Sequence, residues 1–136
     1  MTDTLKLEIV TPGATVYSEQ VHMVTLPAVE GQLGILPHHI PLLTRVVPGE
    51  IIVRKDGRDE FLAVGGGLVE ITGDHVAIVT DMAIAAKDID EAAAEDARQR
   101  AAARLRDKIS DEEVATVNAS LARSLAQLRV KRRRRG

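Results

Sequence analysis

The residues of this chain whose types and spacing bear on chemistry are four histidines, a run of three glycines and an arginine-rich end. His22, His38, His39 and His75 carry imidazole nitrogens, common ligands of zinc. No H-E-x-x-H spacing puts two of them on one face of a helix. Adjacent His38 and His39 in a strand would point to opposite faces. The pattern predicts solvated or interface histidines and no metal site. Gly65-Gly66-Gly67 lacks the lysine and the following helix of a phosphate loop, and a strand follows it instead. Such a run reads as a bulge or as a close approach by a neighbouring backbone. No serine occupies a nucleophile elbow, and the chain has no cysteine, which removes thiolate nucleophiles, thiolate metal sites and disulfides. No catalytic constellation emerges, so the chain reads as non-catalytic.

The segment Arg129-Val130-Lys131-Arg132-Arg133-Arg134-Arg135 is strongly basic. It is either a frayed, solvated terminus or a surface for an acidic protein partner, since arginine forks match carboxylates bidentately. Nucleic acid is the weaker candidate. Only Tyr17 and Phe61 carry large rings, so stacking platforms are nearly absent, and the rest of the chain is acidic.

Two different kinds of element position these groups. All five prolines and nine of the ten glycines lie at or before residue 73. Residues 1–82 hold five Lys/Arg against eleven Asp/Glu, a net of −6, whereas residues 83–136 hold thirteen against nine, a net of +4. The first part reads as short strands and turns. Leu5 to Ile9 alternates apolar and polar, and a β-branched run from Val21 to Leu26 ends at Pro27. Glu50 to Lys55 and Glu60 to Val64 flank the hairpin signal Asp56-Gly57. Leu68 to Thr72 and His75 to Thr80 flank Gly73-Asp74.

The second part reads as helix. Ile89, Ala93, Ala97, Ala101, Leu105 and Ile109 recur every four residues, with Asp88 and Glu91 as a capping box. A second helix starts at Ser110-Asp111-Glu112-Glu113 and carries Val114, Val117, Leu121, Leu125 and Leu128. The expected fold is α+β in two parts: an antiparallel β-sandwich over residues 1–84, then an antiparallel α-helical hairpin over 85–136. The alanine-rich hairpin buries little apolar area and is expected to open readily. No signal peptide and no membrane-spanning run is visible, which places the chain in the cytosol or peripherally on a complex.

Gly31-Gln32-Leu33-Gly34-Ile35-Leu36-Pro37-His38-His39-Ile40-Pro41-Leu42-Leu43-Thr44 resembles the G-x-L-G-I-x-P-x-H-x-P-L-L-T stretch of the epsilon subunits of F-type ATP synthases. Pro48-Gly49-Glu50-Ile51, Gly66-Gly67-Leu68-Val69-Glu70, Asp88-Ile89-Asp90 and Leu125-Ala126-Gln127-Leu128-Arg129-Val130 continue the resemblance in order along nearly the whole chain. The resemblance implies a ten-stranded sandwich that clamps the gamma subunit and rests on the ring of c subunits. It also implies a tail that extends toward the catalytic alpha and beta subunits and blocks ATP hydrolysis. By the same resemblance Glu30, Gly31 and Gln32 face the c ring, and Pro37, His39, Pro41, Leu42 and Leu43 face gamma. Turn geometry for the prolines and glycines, and core packing for Leu42 and Leu43, are the alternatives. Arg123, Arg129, Lys131 and Arg132 to Arg135 are the tail residues expected to meet an acidic loop of beta. Position 38, often glycine in that family, is histidine here.

Some members bind ATP through an [IL]-D-x-x-R-A motif. This chain has Ile89, Asp90 and Ala94, but Ala93 stands at the arginine position, so ATP binding is expected to be weak or lost and no cofactor is assigned. Membrane contact is expected only through the c ring, on the cytoplasmic face of the inner membrane. A free-standing sandwich module whose basic tail docks on nucleic acid or anionic lipid is the alternative.

Overall fold

The computed structural model describes residues 3–134. Ten strands come first: β1 (Leu5–Thr11), β2 (Ala14–Val21), β3 (Met23–Ala28), β4 (Gly31–Ile35), β5 (Leu42–Val46), β6 (Gly49–Lys55), β7 (Arg58–Val64), β8 (Gly67–Ile71), β9 (His75–Thr80) and β10 (Ala83–Ala85). A 3-10 turn over Ala86–Asp88 then leads to helices α1 (Glu91–Arg104) and α2 (Asp111–Arg134).

The alternation in β1 buries Leu5, Leu7 and Ile9 and leaves Lys6 and Glu8 at the surface. The same rule places Val24 and Leu26 of β3, Ile51 and Val53 of β6, Val69 and Ile71 of β8 and Val76 and Ile78 of β9 in one aliphatic core. The strands run in the order β10-β7-β6-β3-β5-β8-β9-β1-β2, with β4 also paired to β3. β3 is the corner. It pairs with β6 from Met23 to Thr25 and with β5 only through Ala28 and Val46. The strand set therefore folds over itself as a sandwich around that core.

Asp56 and Gly57 have φ of 53° and 76°, as the two-residue hairpin signal requires. All pairings are antiparallel except one: β1 runs parallel to β9, from Lys6–His75 to Val10–Val79. The strictly antiparallel expectation is corrected at this pair. The long chain between the two strands leaves their relative direction free, which a short hairpin would not. β3 does not end at Pro27 but continues to Ala28. Pro27 falls between the last β6 pairing at Thr25 and the β5 pairing at Ala28, where no ladder donor is needed, and its carbonyl accepts from Val47 N–H at 2.9 Å.

In the helical part, α1 is capped by Asp90, whose carboxylate accepts from Ala93 N–H at 3.0 Å, and Asp88 lies in the 3-10 turn. The expected stripe at spacing four is corrected as well. Ala94 and Ala101 are the buried residues of α1, Ala93 is exposed, and Ile89 and Ile109 lie outside the helix. Four residues turn about 400°, so a strict spacing of four drifts roughly 40° per step around the helix and cannot stay on one face. In α2 the buried residues are Ser124, Ala126, Leu128 and Val130, while Leu125 is 42% exposed.

Candidate functional site

Two surfaces gather the residues singled out by the sequence. The first is the contact between the end of α2 and the outer face of β6 and β7. Strand β7 sends Leu62 and Val64 into the sandwich core and Phe61 and Ala63 outward. Val130 of α2 is fully buried on Ala63 and Ile89, with Phe61, Met82, Ile84 and Ala86 around it.

The basic residues then close on acids of the chain itself. Arg134 forks Glu50 at 2.8 and 3.0 Å and lies over the Phe61 ring, 3.7 Å from its centroid. Arg133 reaches Glu50 at 3.3 Å. Arg132 bridges Glu91 at 2.9 Å and Glu95 at 3.4 Å across the hairpin. Arg123 meets Asp81 at 3.1 Å, and Lys131 Nζ donates to the Ala86 carbonyl at 3.2 Å. Hydrogen bonds from Arg98, helped by Gln99 and the charge of Arg132, hold the Glu95 carboxyl down at about 2.

The frayed-terminus reading is thereby corrected as far as Arg134: attraction to the acidic head and burial of Val130 hold the last turns in place. Arg129 faces solvent, and Arg135 lies outside the described residues. Glu50 and Phe61 were not legible as partners of the tail, being 84 and 73 residues distant from Arg134. The available signal was a carboxylate beside the apolar run Ile51-Ile52-Val53.

Between the 3-10 turn, β7 and α2 lies a cavity of about 490 Å³ lined by Asp59, Phe61, Lys87, Lys131 and Arg134, among others. The residues of the degenerate nucleotide motif are used structurally: Ile89 is buried, Asp90 caps α1, Ala94 is buried, and Ala93 faces solvent.

The second surface is the outward face of β5, β8 and β9 with the adjoining loops. Glu30, Gly31 and Gln32 lie exposed at the tight β3–β4 turn, with Gly31 at φ 121°. Pro37, His38, His39 and Pro41 form the β4–β5 connection. His38 has φ 69°, the left-handed region where glycine is at ease, and its N–H donates to the Gly73 carbonyl at 2.6 Å. Core packing for Leu42 and Leu43 is not what is found: both are exposed, Leu43 by 66%.

Cross-strand register lines Arg45, Leu68, Val79 and Val10 in one row and Leu43, Glu70, Ala77 and Glu8 in the next. Leu68 is 51% and Val79 59% exposed. Sequence reasoning missed these two. The signal was that β8 and β9 carry apolar residues on both faces, whereas a sheet with one wet face alternates.

The histidines are dispersed. His22 accepts from the Asp56 N–H at 3.3 Å, His38 pairs with Asp3 at 2.9 Å, His39 with the Ile40 carbonyl at 2.6 Å and His75 with Glu8 at 2.9 Å. Among the described residues no cluster of three or more His, Cys, Asp or Glu is placed to hold a metal ion, and no helix is long and apolar enough to cross a membrane.

Comparison with known proteins bears on both surfaces. Residues 4–86 match the family model of the ATP synthase delta/epsilon chain β-sandwich domain, and residues 87–132 match that of its long α-helix domain. The ATP synthase epsilon chain of Halorhodospira halophila is 43% identical over 93% of this chain and 91% of its own length. That of Herpetosiphon aurantiacus is 44% identical over 96% of each. A chain in the Euglena gracilis mitochondrial ATP synthase F1/c-ring structure shares the fold, with a TM-score of 0.72 at 20% identity over 88% of this chain and 76% of that one. A chain of the Tetrahymena thermophila central stalk/c-ring structure does so with 0.65 at 14% identity, over 96% and 98%. These matches span both parts of the molecule and leave the free-standing module without support; the chain belongs to the ATP synthase epsilon chains.

Proposed function

We propose that this chain is a non-catalytic rotor subunit of a proton-translocating ATP synthase, with a sandwich head over residues 1–84 that couples and a helical tail over 85–136 that regulates. The observation that carries the reading is the outward apolar face of Leu43, Leu68 and Val79 on a chain whose full-length relatives are named ATP synthase epsilon chains. Exposed leucine and valine on adjacent strands favour a partner surface over water. That partner is the gamma subunit, whose contact extends onto Pro37, His39, Pro41 and Leu42. The turn at Glu30, Gly31 and Gln32 meets the c ring, a reading supported by the c ring present in the Euglena and Tetrahymena assemblies whose chains share this fold. The protein then sits peripherally at the cytoplasmic face of the membrane, in contact with lipid only through that ring.

The tail supplies regulation. Once α2 leaves the head, Arg123, Arg129, Lys131 and Arg132 to Arg135 present a cationic edge that fits an acidic surface of the catalytic beta subunits, beside alpha. Arginine forks contribute there only at close range, because screening sets in over about 8 Å at physiological salt. No nucleic acid and no bound cofactor enters this reading. The test is complex formation between the purified chain and gamma. Leu68→Glu and Val79→Glu are expected to abolish it while leaving the sandwich folded, since both side chains point away from the core. Undiminished binding by both variants contradicts the assignment of this face.

A further inference from the structure

The outer face of β6 and β7 holds the end of α2 by a contact that differs in kind from the other ion pairs of the tail. Glu50 stands across from Ala63 in the β6–β7 pairing, and Phe61 lies two residues before Ala63 in β7, so the acid, the methyl seat of Val130 and the ring share one face. The Glu50 side chain is only 5% exposed. Arg134 engages both of its oxygens and covers Phe61, and Arg133 adds a third contact. A carboxylate withdrawn from water requires charged or hydrogen-bonding partners, and for Glu50 the charged ones come from the end of α2. The pairs Arg123–Asp81 and Arg132–Glu91 are half-exposed and so contribute little.

We infer that Glu50 is the head's own competitor for the arginine end of α2, a lock that sets how often the tail leaves the sandwich and that must open before Arg133 and Arg134 can meet any external acidic surface. Docked and released tail form a two-state element, and the lock biases it by the free energy that Glu50 and the two arginines lose on parting. Glu50→Gln keeps the size of the side chain and one acceptor oxygen but removes the charge. Charge-assisted hydrogen bonds are roughly twice as strong as neutral ones, so the released population is expected to rise about tenfold.

The lock is intramolecular, so the isolated full chain suffices and the result does not depend on the assembly proposed above. The sequence has no cysteine, and Ala63 is fully buried beneath Val130. Ala63→Cys therefore gives a single thiol that a maleimide reaches only when α2 departs. In this background the labelling rate, measured where reclosing outpaces reaction, scales with the released population. Glu50→Gln should accelerate labelling about tenfold. Arg134→Gln, at the helix end and outside the sandwich core, should act in the same direction, which keeps the question decidable if the Glu50 variant misfolds. Arg129→Gln, on the solvent side of α2, should leave the rate unchanged. The inference is overturned if Glu50→Gln and Arg134→Gln both label within twofold of the parent, if Arg129→Gln accelerates labelling equally, or if the parent labels at the rate of an unfolded chain.

Discussion

Gly65, Gly66 and Gly67 are adjacent, yet a methyl group on each meets different surroundings. On Gly67 the added carbon would lie 1.9 Å from the Val79 carbonyl oxygen and 2.9 Å from Thr80 Cα, both backbone atoms of β9. On Gly65 it would lie 1.9 Å from Asp81 Oδ1 and 3.4 Å from Arg123 Cγ. On Gly66 the nearest atom is the Val46 carbonyl oxygen at 3.8 Å. Non-bonded carbon contacts are most favourable at roughly 3.5–4.0 Å, so Gly67→Ala requires β8 and β9 to separate by more than about 1 Å. Overpacking of that kind costs about 1–3 kcal/mol, and weakening the Gly67–Thr80 pairing adds up to about 1 kcal/mol. Against this stands about 0.4–1 kcal/mol gained by restricting the unfolded chain.

Gly67→Ala is therefore expected to destabilise by about 2 kcal/mol and to lower Tm by roughly 7 °C. Gly66→Ala should be neutral or slightly stabilising. Gly65→Ala displaces only the flexible end of Asp81, so the sandwich survives; the half-exposed Asp81–Arg123 pair is lost, which should loosen α2 by no more than about twofold. Thermal unfolding followed by circular dichroism measures the first two, and thiol accessibility at Ala63→Cys measures the third. A Gly67→Ala chain melting within about 3 °C of wild type, or a Gly66→Ala chain falling as far, refutes the close-approach reasoning.

The remaining expectations concern the tail. Calorimetry of the isolated chain against ATP should show weak or no binding, because Ala93 is exposed and offers no donor to phosphate; Ala93→Arg should gain affinity if the rest of the pocket survives. Replacing Arg132, Arg133, Arg134 and Arg135 by alanine should raise ATP hydrolysis of the complex without weakening gamma binding; loss of the Glu50 contacts acts in the opposite direction, so unchanged hydrolysis across a range of salt denies these residues a net inhibitory role. Glu95 has a depressed folded-state pKa of about 2 against an ordinary value of 4.5, so its contribution to the hairpin is complete above 4.5 and is lost as pH falls toward 2. Carboxyl titration by NMR checks the value, and Glu95→Gln should flatten the acid dependence of helicity in that window.

Periodicity made much of the sandwich legible: β1 by alternation, β6 with β7 through Asp56-Gly57, and β8 with β9 around the turn before His75. Strands β2, β4, β5 and β10 were not read, because their side chains are mostly exposed or intermediate and carry little alternation. The parallel β1–β9 pair and the continuation of β3 through Pro27 depend on neighbours brought together by tertiary structure. The break from sheet to hairpin was visible in glycine and proline usage. Which helix face is buried was not, because spacing by fours drifts and because α2 packs on both α1 and the head. Of the candidate sites, the basic end was visible as charge, but its partners Glu50, Glu95 and Asp81 could be named only from their positions in space. The apolar outward face was half legible, through Leu43, and incomplete without Leu68 and Val79; Leu42, paired with core-facing Ile71, lies on the other face of β5.

The claim that head and tail divide coupling from regulation is tested most directly on the parent ATP synthase depleted of this subunit and reconstituted with either the full chain or a chain ending at Lys87. Proton pumping and ATP hydrolysis are measured on the same membranes. The main core is built from strand residues alone, so the truncated chain should fold, assemble and restore pumping, while only the full chain restrains hydrolysis. Failure of the truncated chain to assemble, or equal hydrolysis with both chains, would contradict the division.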